Sequence, residues 1–303
     1  MLLVKNLTKE FKNVFAVDNI SFKVEEGKIF GLLGPNGAGK TTTIRTILNI
    51  IKPSSGEITF DGKPITDEFF NIIGYLPEER GLYKKSKVMD VILYFAQLKN
   101  MSKPEAISEA EMWLKKLDIP DYRDKKIEEL SKGNQQKIQF ITSIIHNPKL
   151  LILDEPLSGF DPINQQLIKE LIISFVTGGK IIILSTHQME MAEKMCSEIF
   201  LINKGKEVLH GSLSDIKRKF GGNIVKLEFD GDSTFINTLP YVINVDNYNN
   251  YAEVQLKEDV HPNQLLKDIV NKLSISHFSI IDPTLNKIFI DSINQTTKQK
   301  SYE

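Results

Sequence analysis

The stretch Gly34–Thr41 reads Gly-Pro-Asn-Gly-Ala-Gly-Lys-Thr and matches the pattern G-x-x-x-x-G-K-[ST] at every specified position. A buried strand is predicted directly before it, over 28–33, and a helix directly after it, over 40–50. Glycines let the backbone wrap closely around an anion, and the helix N-terminus adds a partial positive charge. Lys40 is placed to reach the β and γ phosphates, and Thr41 to ligate Mg²⁺. The pattern therefore predicts a site for a nucleoside triphosphate, formed by Gly34, Pro35, Asn36, Gly37, Ala38, Gly39, Lys40, Thr41 and Thr42.

A second cluster of polar residues follows the apolar run at 150–153, which predicts a buried strand. Asp154 and Glu155 come directly after this run, at the strand end where α/β sheets bind their ligands. Asp154 is predicted to hold Mg²⁺, and Glu155 to orient the water that attacks the γ-phosphate. The alternative interpretation is a pair of surface acids that cap a strand. It would be reasonable in a chain without the phosphate-binding loop (P-loop) at Gly34–Thr41.

Between these two motifs lies Leu130-Ser131-Lys132-Gly133-Asn134, which precedes an amphipathic helix. On its own it predicts no more than a helix cap at Ser131. Placed between a P-loop and Asp154-Glu155, it resembles the signature motif L-S-G-G-Q of the ATP-binding subunits of ABC transporters. This resemblance covers residues 1 to about 215. It implies that four residues of one subunit contact ATP held by the P-loop of another: Ser131, Lys132, Gly133 and Asn134.

The resemblance assigns roles to further residues. Phe11 stands where the family has an aromatic residue that stacks on adenine. Ser158 and Asp161 resemble the D-loop, and His187, after Leu184-Ser185-Thr186, resembles the histidine that contacts the γ-phosphate. A lone histidine after a strand would otherwise be interpreted as structural.

Two departures from the family pattern concern the same site. In the signature, Lys132 adds a positive charge and Asn134 shortens an amide, whereas Ser131 and Gly133 keep the family's residues. Glu78 stands where the family usually has a glutamine that faces Mg²⁺, and it can accept a hydrogen bond but cannot donate one. The surrounding string, 75–83, resembles that of bacterial sodium- and drug-export ATPases, which also carry a small C-terminal domain.

The order of predicted elements indicates an α/β fold. Residues 1 to about 80 alternate like strands around the P-loop helix, and residues 84 to 146 change to a helical period. Apolar strands follow at 150–153 and 181–184, with a helix between them at 165–176, as a parallel sheet requires. We therefore expect an ABC-type nucleotide-binding domain with a mixed-sheet core and a helical subdomain at about 84–146.

The C-terminal part of the chain predicts a second, smaller domain. The glycine pair Gly221-Gly222 is the expected boundary, which gives an ATPase domain at 1–220 and a small α+β domain at 221–303. In the second domain the predicted order β-α-β-β-α-β is that of a ferredoxin-like module. Its sequence contains no catalytic constellation, and such folds host many functions.

Composition limits the partners and the compartment. The 303 residues contain 38 Lys and Arg against 39 Asp and Glu, so we expect no nucleic-acid partner. The single cysteine excludes an internal disulfide bond. We find neither an apolar run of the roughly 18 residues that a membrane-spanning helix needs nor a signal-peptide pattern at the N-terminus.

Taken together, the motifs and the resemblance imply a Mg²⁺-dependent ATPase that powers export, of Na⁺ or of a drug, through a separate transmembrane permease. ATP would join two ATP-binding subunits, expected to be two copies of this chain, although a heterodimer would use the same motifs. The protein would be cytoplasmic and peripheral on the inner face of the membrane. The alternative is a soluble ABC ATPase with a cytosolic role, which neither a long heptad arm nor a cysteine cluster supports.

Overall fold

The computed structural model describes residues 1–66, 68–79, 81–221, 223–248, 250–257 and 259–300. The chain forms two compact units, Met1–His210 and Gly211–Glu303. The sequence predicts a later division, at Gly221-Gly222, because this glycine pair follows a predicted helix. That helix packs against the last helix of the chain and so belongs to the second unit. Gly222 and Arg80 lie outside the described residues.

The strands of the first unit belong to two sheets. One sheet has the order β2-β1-β4-β5 and is antiparallel, and the other has the order β10-β9-β3-β8-β7-β6. In the second sheet β6, β7, β8, β3 and β9 are parallel. In chain order the strands are β1 (Leu2–Phe11), β2 (Val14–Val24), β3 (Ile29–Leu33), β4 (Ser55–Phe60), β5 (Lys63–Pro64), β6 (Ile73–Leu76), β7 (Leu150–Asp154), β8 (Ile181–Thr186), β9 (Glu198–Asn203) and β10 (Lys206–Ser212).

The central strands of the parallel sheet are apolar because helices and the antiparallel sheet cover them. Every residue of β3, β7 and β8 is buried. Phe22 of β2 packs against Phe30 of β3 and Phe200 of β9, with ring centroids 5.1 and 5.0 Å apart. The core of this unit therefore lies between the two sheets and fixes the carboxyl ends of β3, β7 and β8 side by side.

The helices of the first unit include a helical insertion between β6 and β7, as the change of period predicted. Within the insertion α3, α4 and α5 pack against one another. Short 3-10 helices at Pro120–Tyr122 and Ile127–Glu129 join α4 to α5. In chain order the helices are α1 (Lys40–Ile47), α2 (Phe69–Ile72), α3 (Val88–Leu98), α4 (Lys103–Lys116), α5 (Lys132–Ile144), α6 (Pro162–Thr177) and α7 (Met189–Met195).

The second unit has the predicted ferredoxin-like topology. Its sheet has the order β12-β13-β11-β14, with neighbouring strands antiparallel, and its apolar core contains Val225, Val254 and Leu265. In chain order the elements are α8 (Leu213–Phe220), β11 (Ile224–Asp230), β12 (Val242–Asn247), β13 (Ala252–Leu256), α9 (Pro262–Ile269), β14 (Ser274–Ile281) and α10 (Leu285–Lys300).

The first crossover of the second unit has the predicted position but not an α-helix. Thr234–Thr238 forms a 3-10 helix where the sequence predicted a short helix of the first βαβ unit. Two threonines, an isoleucine and an asparagine are poor helix formers, and Pro240 disfavours the helical conformation at the residue before it. The segment is therefore too short and too weakly helical for an α-helix.

Candidate nucleotide site

A cleft of about 370 Å³ opens at the carboxyl edge of the parallel sheet. Four segments that are distant in sequence meet there: the start of β2, the loop after β3, the residues after β6 and the end of β7. The residues that line it are Ala16, Asn36, Gly37, Ala38, Gly39, Lys40, Thr41, Thr42, Glu78, Asp154 and Glu155. The structure thus brings most of the predicted P-loop and metal residues together with Glu155. Ala16 was not predicted, because a lone alanine carries no sequence signal.

The glycines of the P-loop are required by local geometry. Gly39 precedes α1 with a φ of 114°, in the left-handed region that favours glycine. A Cβ at Gly39 would lie 2.5 Å from the carbonyl oxygen of Ala16, and one at Gly34 would lie 2.2 Å from that of Ile202. No other residue type fits at either position, so the loop can pack between β2 and β9 only with glycine.

The Lys40 side chain is buried in this loop. Its ammonium group donates hydrogen bonds to the carbonyl oxygens of Gly34, at 2.7 Å, and of Pro35, at 3.2 Å. Burial lowers the pKa of Lys40, and the negative charges of Glu155 and Asp154 oppose that shift. A cation is therefore held inside an acidic cleft, ready to exchange its carbonyl partners for phosphate oxygens.

Asp154 ends β7 and is 2% exposed. Burial raises its pKa and the nearby charges of Glu78 and Glu155 raise it further, whereas the Ser185 hydroxyl and Lys40 oppose the shift. The Thr41 hydroxyl lies 3.4 Å from Oδ2 of Asp154, and Oδ1 is buried without a hydrogen-bond partner among the described residues. A buried carboxylate with an unpaired oxygen beside a hydroxyl fits a hard divalent cation.

Metal ligands from the protein alone are few. The described residues contain no group of three or more His, Cys, Asp and Glu side chains that could hold a metal ion. A cation at Asp154 and Thr41 would therefore need further oxygens from water or from a bound phosphate, which is how Mg²⁺ is bound in many nucleotide sites.

Glu155 is held on both carboxylate oxygens. Oε2 accepts a hydrogen bond from the Thr186 hydroxyl at 2.9 Å, and Oε1 accepts one from the His187 backbone N–H at 2.8 Å. The His187 ring nitrogen Nδ1 lies 2.6 Å from the same Oε1. The backbone of Glu155 adopts a φ of 49°, which costs on the order of 1 kcal/mol for a non-glycine residue. The fold therefore maintains a strained but tightly fixed carboxylate beside the cleft.

The structure places His187 next to Glu155, directly after β8. Its imidazole is about half exposed and does not line the cleft itself. Thr186, which orients Glu155, was not predicted as a site residue. A threonine beside the predicted histidine was the available signal, but its contact with Glu155 depends on β7 and β8 being neighbours in the sheet.

The signature residues lie elsewhere on the same unit. Ser131 caps α5 and accepts a hydrogen bond from the Asn134 N–H at 3.3 Å. Ser131 and Lys132 are exposed, and Gly133 and Asn134 are half-buried. None of the four lines the cleft, so the P-loop and the signature of one chain form separate surfaces.

The D-loop residues follow Glu155 in the chain. Ser158 is exposed after Leu157, and Asp161 caps α6 by accepting hydrogen bonds from the N–H groups of Ile163 and Asn164 at 3.1 and 3.0 Å. These bonds to N–H groups lower the pKa of Asp161. The N-cap therefore keeps Asp161 ionised at the exposed start of α6.

Phe11 ends β1 and lies outside the lining of the cleft. Its ring is 44% exposed, and the Lys9 ammonium group lies 4.8 Å from the ring centroid. An exposed aromatic ring is available for stacking, so the adenine role of Phe11 stays a prediction.

A P-loop that opens a helix, beside an acidic strand end in a parallel sheet, defines a P-loop nucleoside triphosphatase. Comparison with known families is more specific. The family model "ABC transporter" matches residues 17–158, and the model "ATP-binding protein DrrA1-3-like, C-terminal domain" matches residues 211–293.

Two curated relatives match almost the whole chain. An uncharacterised ABC transporter ATP-binding protein of Bacillus subtilis (strain 168), YhaQ, is 43% identical over 293 residues, which cover 97% of this chain and 98% of that protein. The linearmycin resistance ATP-binding protein LnrL of the same strain is 29% identical over 311 residues and covers 98% and 100%. The chain belongs to the family of ABC transporter ATP-binding proteins, which are ATPases.

The fold agrees with this assignment. A solved structure described as the ATP-binding subunit of an ABC transporter superposes with a TM-score of 0.69 at 29% identity, over 73% of this chain and 93% of that one. The predicted family and fold class are therefore confirmed. In the described part of the chain, no helix has both the length and the apolar character needed to cross a bilayer.

Proposed function

We propose that this chain is the ATP-hydrolysing subunit of an export-type ABC transporter whose membrane-spanning part is a separate chain. The main support for this proposal is that the P-loop cleft and the signature residues lie apart in one chain. The cleft contains Lys40, Asp154 and Glu155, whereas Ser131 and Gly133 lie outside it at the start of α5. Such a site is completed only when the α5 N-terminus of a second subunit covers the cleft.

In the closed dimer, ATP lies between the two subunits. The P-loop of one subunit cradles the phosphates, and Lys40 binds the β and γ phosphates. The α5 N-terminus of the other subunit faces the γ-phosphate with its partial positive charge and the Ser131 hydroxyl. His187 contacts the γ-phosphate from the first subunit, and the ring of Phe11 stacks on adenine. Hydrolysis removes the γ-phosphate and with it the contact that joins the subunits.

Thr41 and Asp154 are the residues that would hold Mg²⁺, with Glu78 facing it. The unpaired Oδ1 of Asp154 and the Thr41 hydroxyl at 3.4 Å from Oδ2 fit this role. When bound, Mg²⁺ would neutralise charge on the phosphates. Glu155, fixed by Thr186 and His187, orients the attacking water and accepts its proton.

A groove of about 480 Å³ beside the Glu78 segment supports a membrane partner. The groove lies between the helical insertion and residues that precede the insertion in the chain. Its lining is mainly apolar and includes Ile50, Phe70, Tyr75, Leu82 and Phe95. Ile50 is 63% exposed. We propose that a cytoplasmic helix of the permease docks here, which would keep the protein on the inner face of the membrane.

Export as the direction of transport is supported by the relatives. LnrL is named for linearmycin resistance. Resistance through an ABC transporter is most simply achieved by moving the compound outwards. A drug-like small molecule is therefore the substrate class we propose, with Na⁺ as the alternative from the sequence resemblance.

Replacing Glu155 with Gln tests the site. The amide cannot accept the proton of the attacking water, so turnover should fall about a hundredfold or more. Because ATP is then not consumed, the variant should form a dimer with Mg²⁺ and ATP, seen by size-exclusion chromatography with light scattering. Glu170→Gln, at an exposed position on α6, is the matched control. Wild-type hydrolysis by Glu155→Gln would overturn the role of Glu155.

A further inference from the structure

A side chain of α5, the signature helix that Ser131 caps, holds the segment that carries Glu78. Gln139 lies on α5 and is 5% exposed. Its amide nitrogen Nε2 donates hydrogen bonds to the carbonyl oxygens of Glu79, at 2.9 Å, and Pro77, at 3.3 Å. These two carbonyls flank Glu78, so one amide group holds the backbone on both sides of the residue that lines the nucleotide cleft.

A close approach one turn further along α5 strengthens this attachment. A Cβ on Gly74 of β6 would lie 2.1 Å from the carbonyl oxygen of Ser143 and 2.9 Å from Cγ of Pro148. Glycine therefore allows β6 to pack directly on the α5 backbone. Together, Gly74 and Gln139 fix the start and the end of the stretch that leads to Glu78.

Ser131 caps the N-terminus of the same helix. At 1.5 Å per residue, it lies about 12 Å from Gln139 along the helix axis. Glu78 lies in the cleft of its own chain, whereas Ser131 is the residue proposed to act on the cleft of a second chain. A rigid helix that holds Glu78 at one point and presents Ser131 at its N-terminus makes the two positions move together.

We propose that Gln139 is a positioning residue: it holds the Glu78 carboxylate at the edge of the nucleotide cleft and links its position to that of the signature helix. The inference rests on the proposed function, because it assigns Glu78 and the signature to the same ATP site. Gln139 lies outside the lining of the nucleotide cleft. It acts through two backbone carbonyls, and it also lines the groove assigned to the permease, beside Pro77 and Leu82.

The first test is hydrogen exchange in the full chain without nucleotide. Gln139→Met has a similar length but no donor, so the peptide containing Glu78 should exchange several-fold to about tenfold faster, the scale of one or two lost hydrogen bonds. Thr142→Val is the matched control on the same groove, because its hydroxyl donates only to the Gln139 carbonyl of its own helix. Equal exchange in Gln139→Met and wild type would overturn the proposal.

The second test is a double-mutant cycle. We expect Gln139→Met to raise the Mg²⁺ concentration for half-maximal ATP hydrolysis about three- to tenfold, and to leave binding of a fluorescent ATP analogue in EDTA unchanged. In a Glu78→Ala background the same substitution should add little, because its target is gone. Effects that multiply in the double variant would mean that Gln139 acts independently of Glu78 and would overturn the proposal.

A second variant covers the case in which Gln139→Met does not fold. Gln139→Asn keeps the polarity of the site, but its amide is one methylene too short to reach both carbonyls, and the same two results are expected. If the wild type itself shows no Mg²⁺-dependent hydrolysis, both proposals fail. Wild-type hydrolysis together with unaltered exchange and Mg²⁺ dependence in the Gln139 variants overturns the Gln139 proposal alone.

Discussion

Two charged side chains of the site, Lys40 and Glu155, are held by hydrogen bonds within their own chain in the positions proposed for ATP binding and hydrolysis. Lys40 donates to two loop carbonyls, and Glu155 accepts from Thr186 and His187. Both side chains are buried and charged, which is unfavourable without partners. ATP can therefore replace the carbonyl partners of Lys40 without rebuilding the loop, while Glu155 keeps its orientation.

His146 is a half-buried histidine for which we propose no role at the ATP site. Its Nε2 lies 2.9 Å from the Ile73 carbonyl oxygen, to which Lys99 also donates at 3.1 Å. Burial lowers the pKa of His146 to about 4, from the usual 6.5. Its contact with the Ile73 carbonyl gives this histidine a structural role.

This pKa predicts a pH dependence of stability. Between pH 6.5 and 4 the unfolded chain binds a proton at His146 that the folded chain does not, so stability falls as the pH falls. We expect a loss of about 1 kcal/mol between pH 7 and pH 5 from this residue, after allowing for its partial exposure. Urea unfolding of His146→Gln, which keeps an amide donor for Ile73 but does not titrate, should show a correspondingly smaller loss.

His210→Gln, at an exposed position, is the control for removing a histidine from the first unit. If wild type and His146→Gln lose the same free energy of unfolding between pH 7 and pH 5, His146 is not the group responsible.

The site residues could be named from sequence because the P-loop and Asp154-Glu155 each belong to a motif with a fixed internal spacing. Thr186 and Gln139 could not, because their contacts depend on which strands and helices are neighbours.

At the scale of elements, α5 has two functions at its first turn. Ser131 is the N-cap and is also proposed to contact the γ-phosphate bound by a second subunit. Ser131→Ala should cost about 1 kcal/mol of stability through the lost cap and should also prevent the ATP-dependent dimer of Glu155→Gln. Ser131→Asp should keep the cap, since Asp is a good N-cap residue, but prevent the dimer by repelling phosphate.

Ser102→Ala is the matched control for these variants. Ser102 caps α4 and accepts a hydrogen bond from the Glu105 N–H at 3.4 Å. It should lose a similar amount of stability, measured by thermal unfolding, and still form the dimer in the Glu155→Gln background. A normal dimer with Ser131→Asp would contradict the proposed contact between α5 and the γ-phosphate.

Most elements could be predicted because their patterns are strong. The continuous apolar runs that form β7 and β8 predicted buried parallel strands, and the turn at Lys204 and Gly205 between β9 and β10 has positive φ at both residues, as a tight hairpin requires. The short helix predicted at Thr234–Thr238 is present as a 3-10 helix, a type that apolar spacing alone does not distinguish from an α-helix. The position of β3 between β8 and β9 also could not be predicted, since pairing depends on tertiary packing.

At the scale of the whole molecule, each unit has its own apolar core, and the predicted site residues belong to the first. The proposed dimer and permease partner make this chain one part of a larger assembly. Ile50→Glu places a charge on the apolar groove at an exposed position and should weaken the permease contact without changing ATP binding.

The most direct test of the account is to purify the tagged chain from solubilised membranes of its own host and to identify its partners by mass spectrometry. We predict a polytopic membrane protein in stoichiometric amount, and much less of it with Ile50→Glu. Recovery of the wild-type chain only from the soluble fraction, with soluble partners, would contradict the transporter assignment and favour a cytosolic ABC ATPase.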